Sequence, residues 1–206
     1  METLFILLVI AVITYFTLRG KPPGRQQIPT DHLPEAFIVL DLETTGLDAA
    51  QHEIIEIAAI RYRKGDTSHE TYQALVKPNG KVPKRITEIT GITQEMVERE
   101  GKQLPEVLRE FAEFIGTLRL VTFNAEFDMA FLNAAFGEHG LPHPTNPVSC
   151  ALKMARRAWP HRKSYRLDDL ATDGEFADGR AHRALEDARR ALIVYAAVVA
   201  HLKALA

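Results

Sequence analysis

In FIVLDLETTGL, residues 37–47, an apolar run is followed by two carboxylates and then by a glycine. The run 36–40 predicts a buried β-strand, and residues 44–46 predict the turn that ends it. Side chains two residues apart on a strand point to the same face, so Asp41 and Glu43 would converge on one spot. Because two carboxylates repel each other, this arrangement favours a metal ion between them.

The composition is that of a globular domain with some additional chain. Of the 206 residues 46% are hydrophobic, which is enough for a packed core. The formal net charge of −2 gives no global attraction to nucleic acid, so any such binding must rest on a local basic surface. The single cysteine, Cys150, excludes an internal disulfide and a zinc site with several cysteines.

One local basic segment lies between residues 153 and 166. Its six cations, interleaved with two aromatic residues, are Lys153, Arg156, Arg157, Arg162, Lys163 and Arg166, around Trp159 and Tyr165. Such a segment could follow a phosphate backbone and stack a base. A solvated helix face is an equally good interpretation of the sequence alone.

Residues 3–18, TLFILLVIAVITYFTL, carry no charge, and cations follow directly at Arg19, Lys21 and Arg25. As a helix this run would span roughly 24 Å, which is shorter than a ~30 Å hydrocarbon core. Local thinning of the bilayer, or snorkelling of Arg19 and Lys21, could close the gap. We expect an uncleaved anchor at residues 1–19, which holds the rest of the chain on the cytoplasmic side of the cell inner membrane. A cleaved signal peptide and a buried core helix are the alternatives, and without an anchor the chain would be cytoplasmic.

The folded domain is expected to follow a linker. Residues 20–35, GKPPGRQQIPTDHLPE, hold four prolines and two glycines without periodicity. We therefore predict an anchor at 1–19, a linker at 20–35 and one domain at 36–206.

The rest of the domain predicts an α/β fold. After the opening strand we expect strands at 53–63, 70–78 and 118–124 and helices at 93–100, 104–118, 125–140 and 184–205. Gly140 is expected to close the third of these helices. Three strands with short connections, followed by alternating helices and strands, predict a mixed sheet with helices on its faces.

Two further acids fall where a metal site would need them. Asp128 follows the strand that ends near Asn124, at the usual ligand side of an α/β sheet. Asp187 projects from the apolar stripe of the last helix, a costly position for an acid that is neither paired nor metal-bound. His182 could share this site only if it precedes that helix or lies in its first turn.

Four carboxylates without a cysteine or histidine ligand set make a hard oxygen site, suited to Mg²⁺ or Mn²⁺. Two such ions roughly 4 Å apart would support hydrolysis of a phosphodiester. His182, with an ordinary pKa of about 6.5, would be the general base.

At this point three ordered motifs resemble a known family, the DEDDh 3′–5′ exonucleases. They are VLDLETTGL, NAEFDMAFL and HRALEDA, and ITGIT at 89–93 is similar to a segment that lies between the first two. The resemblance covers about residues 36–200 and implies an RNase H-like mixed five-stranded sheet flanked by helices, preceded here by the N-terminal apolar helix.

The resemblance also implies roles for individual residues. It makes Asp41, Glu43, Asp128 and Asp187 the ligands of two Mg²⁺ or Mn²⁺ ions and His182 the general base. Thr44 and Leu47 resemble positions that hold the terminal nucleotide, and Asn124 is the expected N-cap of the second-motif helix. Phe123 departs from the histidine often found before that asparagine, but it is not a ligand position.

The leading hypothesis is a membrane-tethered exonuclease that releases nucleoside monophosphates from the 3′ ends of single-stranded DNA, with DNA only weakly preferred to RNA. The nearest alternative is an exoribonuclease acting on small RNAs, since nothing in the sequence visibly selects the sugar. Another is a catalytically idle membrane-tethered module that binds nucleic acid or protein, and a weaker one is a structural membrane protein. The anchor, and the end of the chain where its last helix ends, argue against a stable association with a polymerase.

Overall fold

The computed structural model describes residues 31–172 and 183–205 and shows a mixed five-stranded sheet with helices on both faces. The strands are β1 Ala36–Thr44, β2 Ile54–Arg63, β3 Glu70–Leu75, β4 Leu120–Thr122 and β5 Val148–Cys150. Their order is β3-β2-β1-β4-β5, with β1, β2 and β3 antiparallel and β4 and β5 parallel to β1. The predicted sheet is therefore confirmed.

Seven helices are described. They are α1 Lys84–Thr90, α2 Gln94–Glu100, α3 Leu104–Ile115, α4 Ala125–Glu138, α5 Ala151–Ala158, α6 Leu167–Thr172 and α7 Ala184–Ala204. The predicted helices correspond to α2, α3, α4 and α7. Sequence patterns had not assigned β5, α1, α5 and α6, which have three to eight residues and so are too short to show a clear period.

Strand β1 is buried on both faces because a layer of helices covers each side of the sheet. Phe37 and Val39 pack in one core cluster with residues of α5, α6 and α7. Ile38 and Leu40 pack in the other, with residues of α3 and α4. The alternation that sends neighbouring side chains to opposite faces explains why this strand is a continuous apolar run.

Several predicted boundaries differ in the structure, including the ends of β3 at Leu75 and α3 at Ile115, which were predicted at 78 and 118. Strand β4 occupies only Leu120–Thr122, because Asn124 already begins the turn into α4. Helix α4 ends at Glu138, and Gly140 follows with a φ of 61°, a left-handed conformation that glycine adopts without strain.

The predicted anchor at 1–19 and most of the linker lie outside the described residues. Within 31–172 and 183–205, none of the helices is both long enough and apolar enough to cross a membrane.

Candidate active site

The end of β1 directs two carboxylates toward α7. Asp41 and Glu43 continue the alternation of Phe37 and Val39, whose side chains face the layer that contains α7. Leu42, between them, packs on the opposite face. The pairing of β1 with β2 shifts by one residue between Glu43 and Thr44, so the regular strand ends immediately after the second carboxylate.

Helix α7 supplies the third carboxylate. Asp187 lies in its first turn, is 9% exposed, and has a carboxylate oxygen that lies within 4.8 Å of oxygens of both Asp41 and Glu43. Arg190, one turn further, donates to Asp187 from Nη1 at 2.5 Å. The three carboxylates form a group of the size that can hold a metal ion.

Asp128 is the fourth acid, and it adjoins this group without belonging to it. It lies in the first turn of α4, is 3% exposed, and accepts a hydrogen bond from the Thr122 hydroxyl at the end of β4. Its charge raises the pKa of Asp41, and a backbone hydrogen bond ties it to Leu42. The structure thus brings Asp128 beside the end of β1, where the sequence had placed it.

Burial and mutual repulsion raise the pKa values of these carboxyl groups and so oppose their ionisation. Burial raises the pKa of Asp41 well above its ordinary value, and the charges of Asp128, Glu43 and Asp187 raise it further. Burial, together with the Asp187 and Glu56 charges, raises the pKa of Glu43 to about 8. Burial raises the pKa of Asp128 to about 7, against the hydrogen bonds from Thr122 and the backbone. Converging hard oxygen donors of this kind fit Mg²⁺ or Mn²⁺, which would offset the repulsion.

A fifth acid, Glu56 on β2, was not identified from the sequence. It pairs with Glu43 in the β1–β2 register and is fully buried. Its carboxylate accepts from Gln73 Nε2 at 2.9 Å, from Arg183 Nη2 at 2.7 Å and from the backbone N–H of Ala184 at 3.1 Å. Glu56 therefore fixes the start of α7, one turn before Asp187. The only signal in the sequence was a charged residue inside an apolar strand.

Asp41, Glu43 and Asp187 line a cleft of about 550 Å³. Its other walls come from the turn after β1, from α1 and from Phe127 of α4. Two unusually exposed apolar side chains line it, Leu47 at 86% and Ile89 at 43% exposure. Thr44 also lines the cleft, and its hydroxyl donates to the Gly46 carbonyl at 2.5 Å. Both predicted substrate positions, Thr44 and Leu47, therefore border the acid cluster.

In the turn after β1, Gly46 lies against the ring of His52, an exposed side chain that would have to move to admit a Cβ. A Cβ on Gly46 would lie 2.4 Å from the ring of His52, which also lines the cleft. No pattern in the sequence singles out this histidine. Asn124 occupies the predicted N-cap position of α4, and its side chain makes no capping hydrogen bond.

His182 lies outside the described residues. Arg183 follows it directly, and this residue is held by Glu56 through two guanidinium nitrogens, Nε at 3.2 Å and Nη2 at 2.7 Å.

The geometry can be compared with known proteins. A sequence profile of the exonuclease family RNase_T matches residues 38–195. The chain belongs to this exonuclease family. The match contains all four acids and His182, and the resemblance to DEDDh 3′–5′ exonucleases is confirmed.

Two curated relatives show how the domain occurs elsewhere. DNA polymerase III subunit epsilon of Aquifex aeolicus is 38% identical over 156 residues, which are 76% of each chain. DNA polymerase III PolC-type of Halalkalibacterium halodurans is 38% identical over 169 residues, 82% of this chain but 12% of that protein. Much of the PolC-type relative thus has no counterpart in this chain.

Among solved structures, the zinc-bound complex of E. coli ExoI with single-stranded DNA aligns with a TM-score of 0.71. The alignment covers 82% of this chain and 41% of that one, at 21% identity. This similarity establishes the same fold.

Proposed function

We propose that this protein is a metal-dependent 3′–5′ exonuclease that releases nucleoside monophosphates from single-stranded DNA. The observation that carries the proposal is the group of three carboxylates from β1 and α7, which line an apolar cleft, with buried Asp128 beside them. Burying carboxylates that repel one another costs free energy, and a bound cation would offset this cost.

The four acids would divide between two metal positions at the scissile phosphate. Asp41, Glu43 and Asp187 would hold one divalent cation, and Asp128 beside Asp41 would complete the ligand set for a second. When bound, Mg²⁺ or Mn²⁺ would supply Lewis acidity for phosphodiester hydrolysis. His182, five residues before Asp187 in the sequence, would take the proton from the attacking water.

The cleft suits the terminal nucleotide. Leu47 and Ile89 offer apolar surface that a nucleobase can cover, which favours a base lying between them. Thr44 and the turn after β1 border the acids and would contact the sugar of the same nucleotide.

DNA is the preferred substrate in this proposal because both relatives above are parts of DNA polymerases. An exoribonuclease is the alternative, since none of the described side chains lining the cleft selects the sugar by an evident contact. A stable association with a polymerase is not part of the proposal.

A membrane anchor at residues 3–18 stays a prediction. Its support is the uncharged run itself and the cations that follow it. Fractionation of the full chain would test it, and recovery in the low-salt supernatant without detergent would contradict it.

The test of function uses the full chain in mild detergent with 5′-labelled single-stranded DNA and RNA of equal sequence. We expect a one-nucleotide ladder from the 3′ end that requires Mg²⁺ or Mn²⁺ and is stronger on DNA. Variants Asp41→Asn and His182→Asn should each lose at least about 10²-fold in rate.

Each other outcome has a definite meaning. Faster shortening of RNA would favour the exoribonuclease. If folded protein supplied with Mn²⁺ cleaves neither strand, the idle binding module is favoured and the proposal is contradicted.

A further inference from the structure

The basic segment at 153–166 contributes no residue to the acid cluster, yet it contacts the helices that carry Asp128 and Asp187. No Asp or Glu occurs from Ala151 to Leu167, whereas the whole chain has a net charge of −2. We define the basic surface by its exposed cations, Lys153, Arg156, Arg157, Lys163 and Arg166. Only the first of these forms an ion pair with another described residue, Lys153 with Glu126.

Helix α5 and the loop after it are joined into one surface by their aromatic residues. The Arg156 guanidinium of α5 lies over the ring of Tyr165 in the loop, 5.9 Å from its centroid. The Tyr165 hydroxyl donates to the Trp159 carbonyl, and Arg162 lies over the Trp159 ring. Both rings also pack against the core, so they serve to hold the arginines rather than to present free faces.

One end of this surface is attached to the element that carries Asp128. The backbone N–H of Leu152 donates to the Phe123 carbonyl at 3.0 Å, just before α4 begins. Lys153 Nζ lies 2.6 Å from Glu126 Oε1 in the first turn of α4, where Asp128 also lies.

The other end is attached to the element that carries Asp187. The loop reaches α6 through Ser164, whose hydroxyl donates to Asp169. The neighbouring residue, Asp168, is 3.9 Å from Arg190, which in turn donates to Asp187. The cations are thus connected at both ends to helices that position the acids.

We propose that the basic surface binds the sugar-phosphate backbone of the substrate strand on the 5′ side of the scissile bond. This inference rests on the proposed function, because the strand must enter the acid cluster with its 3′ end. Cations aligned with a strand bind its phosphates without regard to base sequence, and each contact makes binding more sensitive to salt. A strand of a few nucleotides would fill the cleft without reaching this surface.

The test variant replaces three cations that make no ion pair with another described residue, Arg157→Gln, Lys163→Gln and Arg166→Gln. A matched control, Arg63→Gln, Arg109→Gln and Lys203→Gln, removes the same charges from exposed sites. Arg63 ends β2 next to the start of β1, Arg109 lies on α3 across the sheet, and Lys203 lies at the far end of α7. Binding of 3-nucleotide and 20-nucleotide single-stranded DNA is measured by fluorescence anisotropy with EDTA, over a range of salt.

We expect the test variant to bind the 20-nucleotide strand at least about 10-fold more weakly, with a salt slope smaller by roughly 2. Its binding of the 3-nucleotide strand should be unchanged, and the control should match the unaltered chain on both. Equal binding of the long strand by test and control variants would overturn the inference, as would equal weakening on both lengths. Because EDTA prevents hydrolysis, this result does not depend on whether the chain proves to be an exonuclease.

Anionic lipid is the competing partner for a basic surface. Sedimentation with vesicles of phosphatidylglycerol and phosphatidylethanolamine distinguishes it. If the test variant loses vesicle binding while it keeps binding to the 20-nucleotide strand, the surface belongs to the membrane and the inference is wrong.

Discussion

Glu56 and Arg183 form an ion pair across 127 residues of sequence, with 2.7 Å between Oε1 and Nη2. The carboxylate is fully buried, while the arginine side chain is 32% exposed. The same carboxylate also accepts the backbone N–H of Ala184. One acid on β2 thus determines where the helix that carries Asp187 begins.

The variant Glu56→Ala should lower the free energy of unfolding by about 2 to 4 kcal/mol, because it leaves a guanidinium and a buried N–H without their acceptor. Glu56→Gln keeps an oxygen acceptor of the same reach and should lose less. Urea denaturation measures both. The matched control is Glu70→Gln, whose pairing with Arg61 is on the surface, with Glu70 61% exposed, and should cost less than about 1 kcal/mol. Equal losses in Glu56→Ala and the control would contradict the anchoring role.

The sequence was informative wherever period and chain order carried the signal. Asp41 and Glu43 were placed on one face because strands have a period of two, and Asp187 was placed on the core side because helices have a period of 3.6. The structure agrees on both, since the three carboxylates converge.

The sequence was uninformative where a role depends on a distant partner. Glu56 resembles any charged residue in a strand until Arg183, 127 residues further along the chain, is placed beside it. Strand β5 has three residues and is positioned by pairing with β4, a tertiary contact that no local pattern encodes.

Replacing Asp41 by Asn should separate metal binding from folding. We expect Mn²⁺ affinity, measured by electron paramagnetic resonance, to fall by at least about 10-fold because a ligand is lost. The metal-free protein should become more stable, since burial and four neighbouring carboxylates oppose the charge of Asp41. Undiminished Mn²⁺ binding by this variant would show that the ion, if any, is held elsewhere.

Bound metal should oppose the pH dependence of stability that the metal-free protein shows. The folded state raises the pKa of Glu43 from 4.5 to about 8, so between these values the folded protein binds more protons than the unfolded one. The free energy of unfolding of the EDTA-treated protein should therefore fall from pH 5.5 to pH 8. Saturating Mn²⁺ should stabilise the protein more at pH 8 than at pH 5.5, because binding must displace these protons.

The control for this titration is Glu43→Gln, which cannot ionise. In EDTA its loss of stability from pH 5.5 to pH 8 should be smaller than that of the unaltered chain. Identical pH profiles would mean that Glu43 is already ionised in the metal-free fold at pH 5.5.

Leu47 offers a way to test substrate contact without disturbing the fold. Its side chain is 86% exposed and lines the cleft beside the acids, so Leu47→Ala removes little buried surface from the free protein. If a nucleobase covers it, the variant should raise KM about 5- to 10-fold with little change in kcat or in unfolding free energy. Leu205→Ala is the matched control, an exposed leucine at the end of α7, and should change neither constant. A KM for Leu47→Ala equal to that of the control would exclude this side chain from the nucleotide site, whereas a fall in kcat alone would place its effect on the chemical step.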